Sequence, residues 1–117
     1  MLFSLPQRTR ISKKAHFQYT FTHCKRRDNP LVRAYAGKAF KEDGCSAFIA
    51  SKKVGNAVVR NRCKRRMKEM FRQIKPQLKE NMDIILVAKS GLLSVTYEEA
   101  SRQLFRLFRD LSLVRMS

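Results

Sequence analysis

The sequence predicts an α+β protein, a small two-layer sandwich whose helices cover a four-stranded sheet in the chain order α-β-β-β-α-β-α. Three observations predict it. Residues 45–51 and 83–89 are short, nearly continuous apolar runs, as expected of strands covered on both faces. Between them the period changes to that of a helix, and Val59, Cys63, Met67, Met70 and Ile74 share one face. Near the C-terminus Leu104, Phe105, Leu107, Phe108 and Leu111 repeat the helical pattern. The 117 residues suit one domain, 1–117.

Taken in order, residues 1–11 read as an irregular basic arm with Arg8 and Arg10. Ser12 can cap a first helix over roughly 13–21. On it Phe17 and Phe21 stand four apart; such a pair either plugs a core or makes a shelf on which unpaired bases stack. Residues 22–28, with Lys25-Arg26-Arg27, suit a short edge strand, where cations discourage edge-to-edge aggregation. Asn29-Pro30 signals a turn. Residues 31–40 alternate, with Leu31, Arg33, Tyr35 and Gly37 on one side and Val32, Ala34 and Ala36 on the other. One face should meet the core and Tyr35 should face away from it. A charged turn at 41–44 leads to 45–51, expected at the centre of the sheet. Gly55 allows a tight or left-handed backbone, and Asn56 is a good cap for a helix over 56–74. Pro76 forces that helix to stop. The run 83–89 is the clearest buried strand, so strand, helix and strand predict a parallel pair joined by a crossover, right-handed by the general rule. A loop over 90–95 precedes a last helix starting at Thr96 or Tyr97. Its acidic first turn, Glu98-Glu99, suits the helix dipole, and Arg102, Arg106 and Arg109 form a basic flank.

Charge narrows the function. Lys and Arg number 26 against 9 acids, a formal net charge of +17. Repulsion on that scale opposes compaction, and bound anions should stabilise the fold. The excess is uneven: residues 1–75 hold twenty bases and four acids, whereas 76–117 hold six and five. From Ser51 to Lys75 ten cations face one acid, Glu69. Such residues can simply solvate a helix, but like charges four apart cost it a few tenths of a kcal/mol per pair. Accepting so many favours a polyanionic partner, nucleic acid above all. At roughly 100° per residue Arg60, Asn61, Lys64, Arg65, Lys68 and Arg72 fall opposite the apolar stripe, with Arg62 and Arg66 near its border. The binding surface is expected on the arm, the first helix and this helix, with the C-terminal part as scaffold.

Other classes find little support. Cys24, Cys45 and Cys63 are far apart, and neither His16 nor His23 completes zinc-site spacing, so reduced thiols and no protein-bound metal are expected. No run of about 18 apolar residues predicts a membrane span. Met1–Leu5 is too short for a signal-peptide core and Pro6 breaks it. Residues 1–27 lack acids, as transit peptides do, but part of them reads as folded. Phosphodiester hydrolysis by protein commonly needs clustered carboxylates holding metal ions, or a His pair. Here Glu42-Asp43 and Glu98-Glu99 are neighbours that point apart, and the four glycines make no phosphate loop. No catalytic residue is predicted; if the chain serves an enzyme, a partner supplies the chemistry.

The run Lys52-Lys-Val-Gly-Asn-Ala-Val-Val-Arg-Asn-Arg62 resembles the signature of the bacterial ribonuclease P protein subunit, whose core is the Arg-Asn-Arg triplet, here Arg60-Asn61-Arg62. The resemblance extends over nearly the whole chain. It implies a rare left-handed crossover, as in the second domain of a small-subunit ribosomal protein, against the default hand. It implies a subunit of an endoribonuclease in which a large RNA, using magnesium ions, removes the 5′ leader of precursor tRNA. On this resemblance Lys52, Lys53, Asn56, Arg60, Asn61, Arg62, Lys64, Arg65 and Lys68 bind the catalytic RNA. Phe17, Phe21 and Tyr35, with Lys13, Lys14 and Ser51, line a cleft for the single-stranded leader. Aromatic faces and cations suit that task, because stacking makes little sequence demand. The resemblance further implies no cofactor in the protein itself, a cytoplasmic setting and no obligate protein partner. Cys63 and Arg66 depart from it, standing where aliphatic residues are common. Composition also fits a ribosomal-type structural RNA binder. A duplex-DNA reader fits less well, since only Asn61 suits base readout on the helix.

Overall fold

A computed structural model of the chain describes residues 18–19, 24–39 and 44–115. Four strands, β1 (Lys25–Asp28), β2 (Val32–Lys38), β3 (Ser46–Ile49) and β4 (Met82–Ala88), form one sheet in the order β1-β2-β4-β3. Two helices, α1 (Ala57–Ile74) and α2 (Tyr97–Asp110), cover one face of it. The expected basic arm and Phe17, Phe21, Lys13 and Lys14 lie outside the described residues; Gln18 and Tyr19 are helical.

The strands obey the period-2 rule. Val32, Ala34 and Ala36 of β2 and Ile84, Leu86 and Ala88 of β4 point at the helices and are buried. Tyr35, Ala47, Ile49, Ile85 and Val87 form a second apolar cluster on the far face, together with Cys45. The β1–β2 hairpin is tied by Asn29, whose Oδ1 accepts from the amides of Leu31 and Val32, both at 2.8 Å. Leu31 itself is buried in the core, not turned outward with Tyr35, because it belongs to this turn and the alternation begins at Val32.

Position within the sheet departs from expectation. The 45–51 run yields an edge strand among the described residues, while β4 is the centre, antiparallel to β2 (Tyr35 opposite Ile85) and parallel to β3 (Ala47 opposite Ile85). A continuous apolar run reports burial of both faces, and β3 has that: Phe48 meets the helix core and Ile49 the far cluster. It says nothing of how many neighbouring strands there are. The parallel pair joined by a crossover helix is present as expected.

α1 buries Cys63, Met67, Met70, Phe71 and Ile74, and α2 buries Ala100, Leu104, Leu107 and Phe108. Phe48, Phe71 and Phe108 make two edge-to-face contacts, with ring centroids 5.5 and 6.2 Å apart, that run from β3 through α1 to α2. Pro76 ends α1 in a single 3₁₀ turn, Lys75–Gln77. Thr96 caps α2 by accepting from the Glu99 amide at 3.1 Å. After α2 the chain returns across the end of α1: Leu78 bridges Val114, and the Lys79 amide donates to the Leu113 carbonyl at 2.7 Å.

Candidate nucleic-acid interface

The site begins where β3 ends. Ser51 accepts from the Lys53 amide at 3.3 Å and caps a 3₁₀ turn, Lys52–Val54. Gly55 then takes φ 146°, a conformation L side chains rarely adopt, and a Cβ there would lie 2.9 Å from the Val59 side chain. Asn56 accepts from the Val59 amide at 3.0 Å and starts α1. Two caps and one glycine thus turn the chain within six residues and set Lys52 and Lys53 beside the first turn of the helix.

From that turn the basic face rises. Lys52, Lys53, Arg60, Arg62, Lys64, Arg65 and Lys68 make no ion pair among the described residues. All but Arg60 and Lys64 are exposed, as is Asn61. Those two are half-buried, because they border the stripe that packs on the sheet, so neither Arg60 nor Lys64 lies opposite it as the helical spacing suggested. Arg60 Nε is enclosed and has no hydrogen-bond partner among the described residues. Asn56 is exposed, but its carboxamide oxygen is committed to the cap.

Arg66, near the opposite border, behaves differently. Its Nη1 donates to the carbonyls of Leu92 and Val95, at 3.0 and 2.8 Å. It serves the loop between β4 and α2 and takes no part in the exposed basic face. Cys63 is buried beside it; burial pushes its thiol pKa up, although the nearby Arg66 and Arg62 pull the other way.

The far face of the sheet is the other candidate surface. Tyr35 is half-buried there with Ile49 and Val87, and Ser51 is exposed just beyond the end of β3. Arg26 stands opposite Tyr35 in the β1–β2 register. At the turn of the β1–β2 hairpin, Asp28 binds Arg33 Nε at 3.1 Å and Lys89 Nζ at 3.1 Å. The Arg33 guanidinium, assisted by Lys89, holds the Asp28 carboxyl below its ordinary value. Sequence reasoning passed over Asp83. It is wholly buried, and its Oδ1 accepts from the Cys45 amide at 2.9 Å, fixing the start of β3 against β4. The signal was an acid opening an otherwise apolar run. The nine residues named on the basic helix and its approach lie together on the Lys52–Val54 turn, its junction with the helix, and α1; Tyr35 lies on the opposite face of the sheet from α1, and Ser51 stands between the two surfaces.

No group of three His, Cys, Asp or Glu among the described residues could hold a metal ion, and no described helix is long and apolar enough to cross a membrane. What the arrangement can do is bind anions: it presents seven cations with no ion pair among the described residues, on and beside a rigid helix anchored to a sheet by its apolar stripe. It defines a nucleic-acid-binding protein of the α+β sandwich type.

Comparison with known proteins makes the class specific. The sequence pattern of the ribonuclease P family matches residues 5–112. The ribonuclease P protein component of Alkaliphilus metalliredigens is 32% identical over 105 residues, covering 90% of this chain and 95% of that protein. That of Bacillus cereus is 29% identical over 117 residues, covering 99% and 98%. An RNase P protein of Staphylococcus aureus, solved as a mutant defective in mRNA degradation, superposes with a TM-score of 0.81 at 28% identity, covering 92% of this chain and 91% of that one. The Thermotoga maritima RNase P protein shares the fold, with a TM-score of 0.74 at 22% identity, covering 86% and 96%. The chain belongs to the ribonuclease P protein family. It is thus the protein subunit of a ribonucleoprotein endoribonuclease of tRNA processing, and an RNA is its partner there.

Proposed function

We propose that the protein binds the catalytic RNA of ribonuclease P through the N-terminal part of α1 and its approach: Lys52, Lys53, Asn56, Arg60, Asn61, Arg62, Lys64, Arg65 and Lys68. The observation that carries this reading is the set of seven cations there without a carboxylate partner among the described residues. Cations clustered this densely can neutralise phosphates and release the counterions condensed on them. The tRNA precursor's 5′ leader lies on the far face of the sheet, against Tyr35 and Ser51, with Phe17, Phe21, Lys13 and Lys14 of the preceding segment completing the cleft. Tyr35 offers a ring to stack on, and contact with the leader raises affinity for precursor over product, which has lost it. The whole chain acts as one RNA-binding domain in the cytoplasm, with 1–11 as a basic arm. Magnesium belongs to the RNA, whose folding and reaction the basic surface assists by neutralising phosphates.

Reconstitution tests the reading. Added to ribonuclease P RNA at low magnesium, the protein should sharply raise cleavage of precursor tRNA, and Tyr35→Ala should weaken binding of precursor but not of mature tRNA. No gain in cleavage, or equal loss for both tRNAs, would overturn it.

A further inference from the structure

The basic face of α1 does not stop at the family signature. At 100° per residue Asn61, Lys64, Lys68, Arg72 and Lys75 fall within about 80° of arc, a single row that runs about 21 Å at 1.5 Å per residue. The row ends at a cavity of about 590 Å³ beyond the last turn of the helix. Arg72 lines it from the last turn of α1, Lys75 from the 3₁₀ turn that follows, and Lys79 and Arg115 from the segments that cross there. Arg115 is held in place twice. Its amide donates to the Gln77 carbonyl at 2.8 Å, and its guanidinium hydrogen-bonds the Pro76 carbonyl. Glu69 binds Arg72 at 2.7 Å and offsets part of its charge, and Glu80 is the one carboxylate among the described lining residues. Lys75 and Lys79 are exposed and make no ion pair among the described residues.

Sequence composition assigned residues 76–117 to scaffold because their charges nearly balance. The fold redistributes them: it brings Lys79 and Arg115, distant in sequence, to the end of a row whose cations, half-buried Lys64 apart, are exposed. Like charges at i and i+4, such as Lys64–Lys68 and Lys68–Arg72, oppose helix formation. A row of that length is stabilised by a ligand of matching length and charge, and a nucleic-acid backbone has both.

We infer that this far end of α1, formed by Lys75 and Lys79 with Arg72 and Arg115, is a second phosphate-contacting site for the same RNA, so that the helix is gripped at both ends. The inference rests on the proposed binding of RNA by α1 and extends its footprint past the Arg-Asn-Arg triplet.

The test measures affinity of the full chain for ribonuclease P RNA from about 50 to about 200 mM salt, for the native protein, Lys75→Gln/Lys79→Gln and Arg60→Gln/Arg62→Gln. Each lost phosphate contact should flatten the log–log salt slope by about 0.7–0.9, so the native affinity falls roughly tenfold further than the Lys75/Lys79 variant's over that fourfold range. Both lysines are exposed, and the variant's melting curve should match the native one. A native slope for Lys75→Gln/Lys79→Gln beside a flattened one for Arg60→Gln/Arg62→Gln overturns the second site and leaves the first. Native slopes for both remove the underlying reading as well. A weaker affinity with a native slope also counts against the site, since it shows a structural effect and no lost phosphate.

Discussion

Arg66→Ala probes the join between the basic helix and its scaffold. The Arg66 guanidinium donates two hydrogen bonds, at 3.0 and 2.8 Å, to carbonyls of the loop that leads into α2. Truncation leaves the Leu92 and Val95 carbonyls short of a donor in a partly buried place, and Leu92 itself is fully buried. A hydrogen bond to a charged group contributes about 1.5–3 kcal/mol. One nitrogen serves both carbonyls, and water can reach part of the site, so the sum should fall near the lower bound of two such bonds, about 3 kcal/mol. Relief of net charge returns a few tenths. The expected loss is therefore about 2–3 kcal/mol, read as a fall in the urea midpoint at unchanged slope against concentration. Arg65→Ala, one residue away and exposed, is the control and should move stability by less than about 0.5 kcal/mol. Equal, small effects for the two variants would refute the reasoning, because Arg66 would then be one more solvated cation.

Three further outcomes are expected. Gly55→Ala must hold a side chain at φ 146° and meet Val59 at 2.9 Å, so it should cost about 1–3 kcal/mol in chemical denaturation; a neutral result would mean that the turn relaxes freely. Phe108→Ala removes a ring that is wholly buried and edge-on to Phe71, and should cost about 3–5 kcal/mol in the same assay, with a smaller loss arguing that the core collapses around it. Asp28 has its folded pKa lowered, chiefly by Arg33, so its ionised form stabilises the fold above the ordinary carboxylate value of about 3.9 and loses that effect as pH falls through the folded value. Asp28→Asn should thus be less stable than the native protein at pH 7, and the gap should close below about pH 4; a gap that persists in acid would exclude charge as its source.

Much of this was legible in the sequence, for a physical reason. Caps and periodicity are local, and local rules placed Asn56 at the start of α1, Thr96 or Tyr97 at the start of α2 and Pro76 at the break between Ile74 and Leu78. The outward face of β2 followed from alternation, and Tyr35 lies where that rule put it. Failures came where the answer is non-local. Strand order is one: Ile49 and Val87 read alike as buried apolar residues, and nothing in either run says which strand has two neighbours. Arg66 is another, since a guanidinium on the border of an apolar stripe looks the same whether it faces water or the carbonyls of Leu92 and Val95. Asp83 was hidden for the same reason: its partner, the Cys45 amide, is 38 residues away.

The two surfaces proposed for binding differ in what each element can tolerate. A helix keeps its backbone hydrogen bonds to itself, so α1 can give its whole outer side to cations while Met67 and Met70, both wholly buried, anchor the other. A sheet surface offers a flatter ground on which half-buried apolar side chains such as Tyr35 and Val87 remain open to contact. Phosphates have no use for such apolar ground, and splayed bases gain little from a bare row of lysines, so the proposed backbone contacts are assigned to one side of β4 and the proposed base contacts to the other. The carboxylates follow the same logic. Asp83 is used up in fixing β3, Asp28 in holding Arg33 and Lys89, and Glu69 and Glu99 in pairing along their own helices. A chain that commits these acids to its own architecture leaves the cations of α1 free for an RNA partner, which brings the phosphates that the carboxylates do not supply.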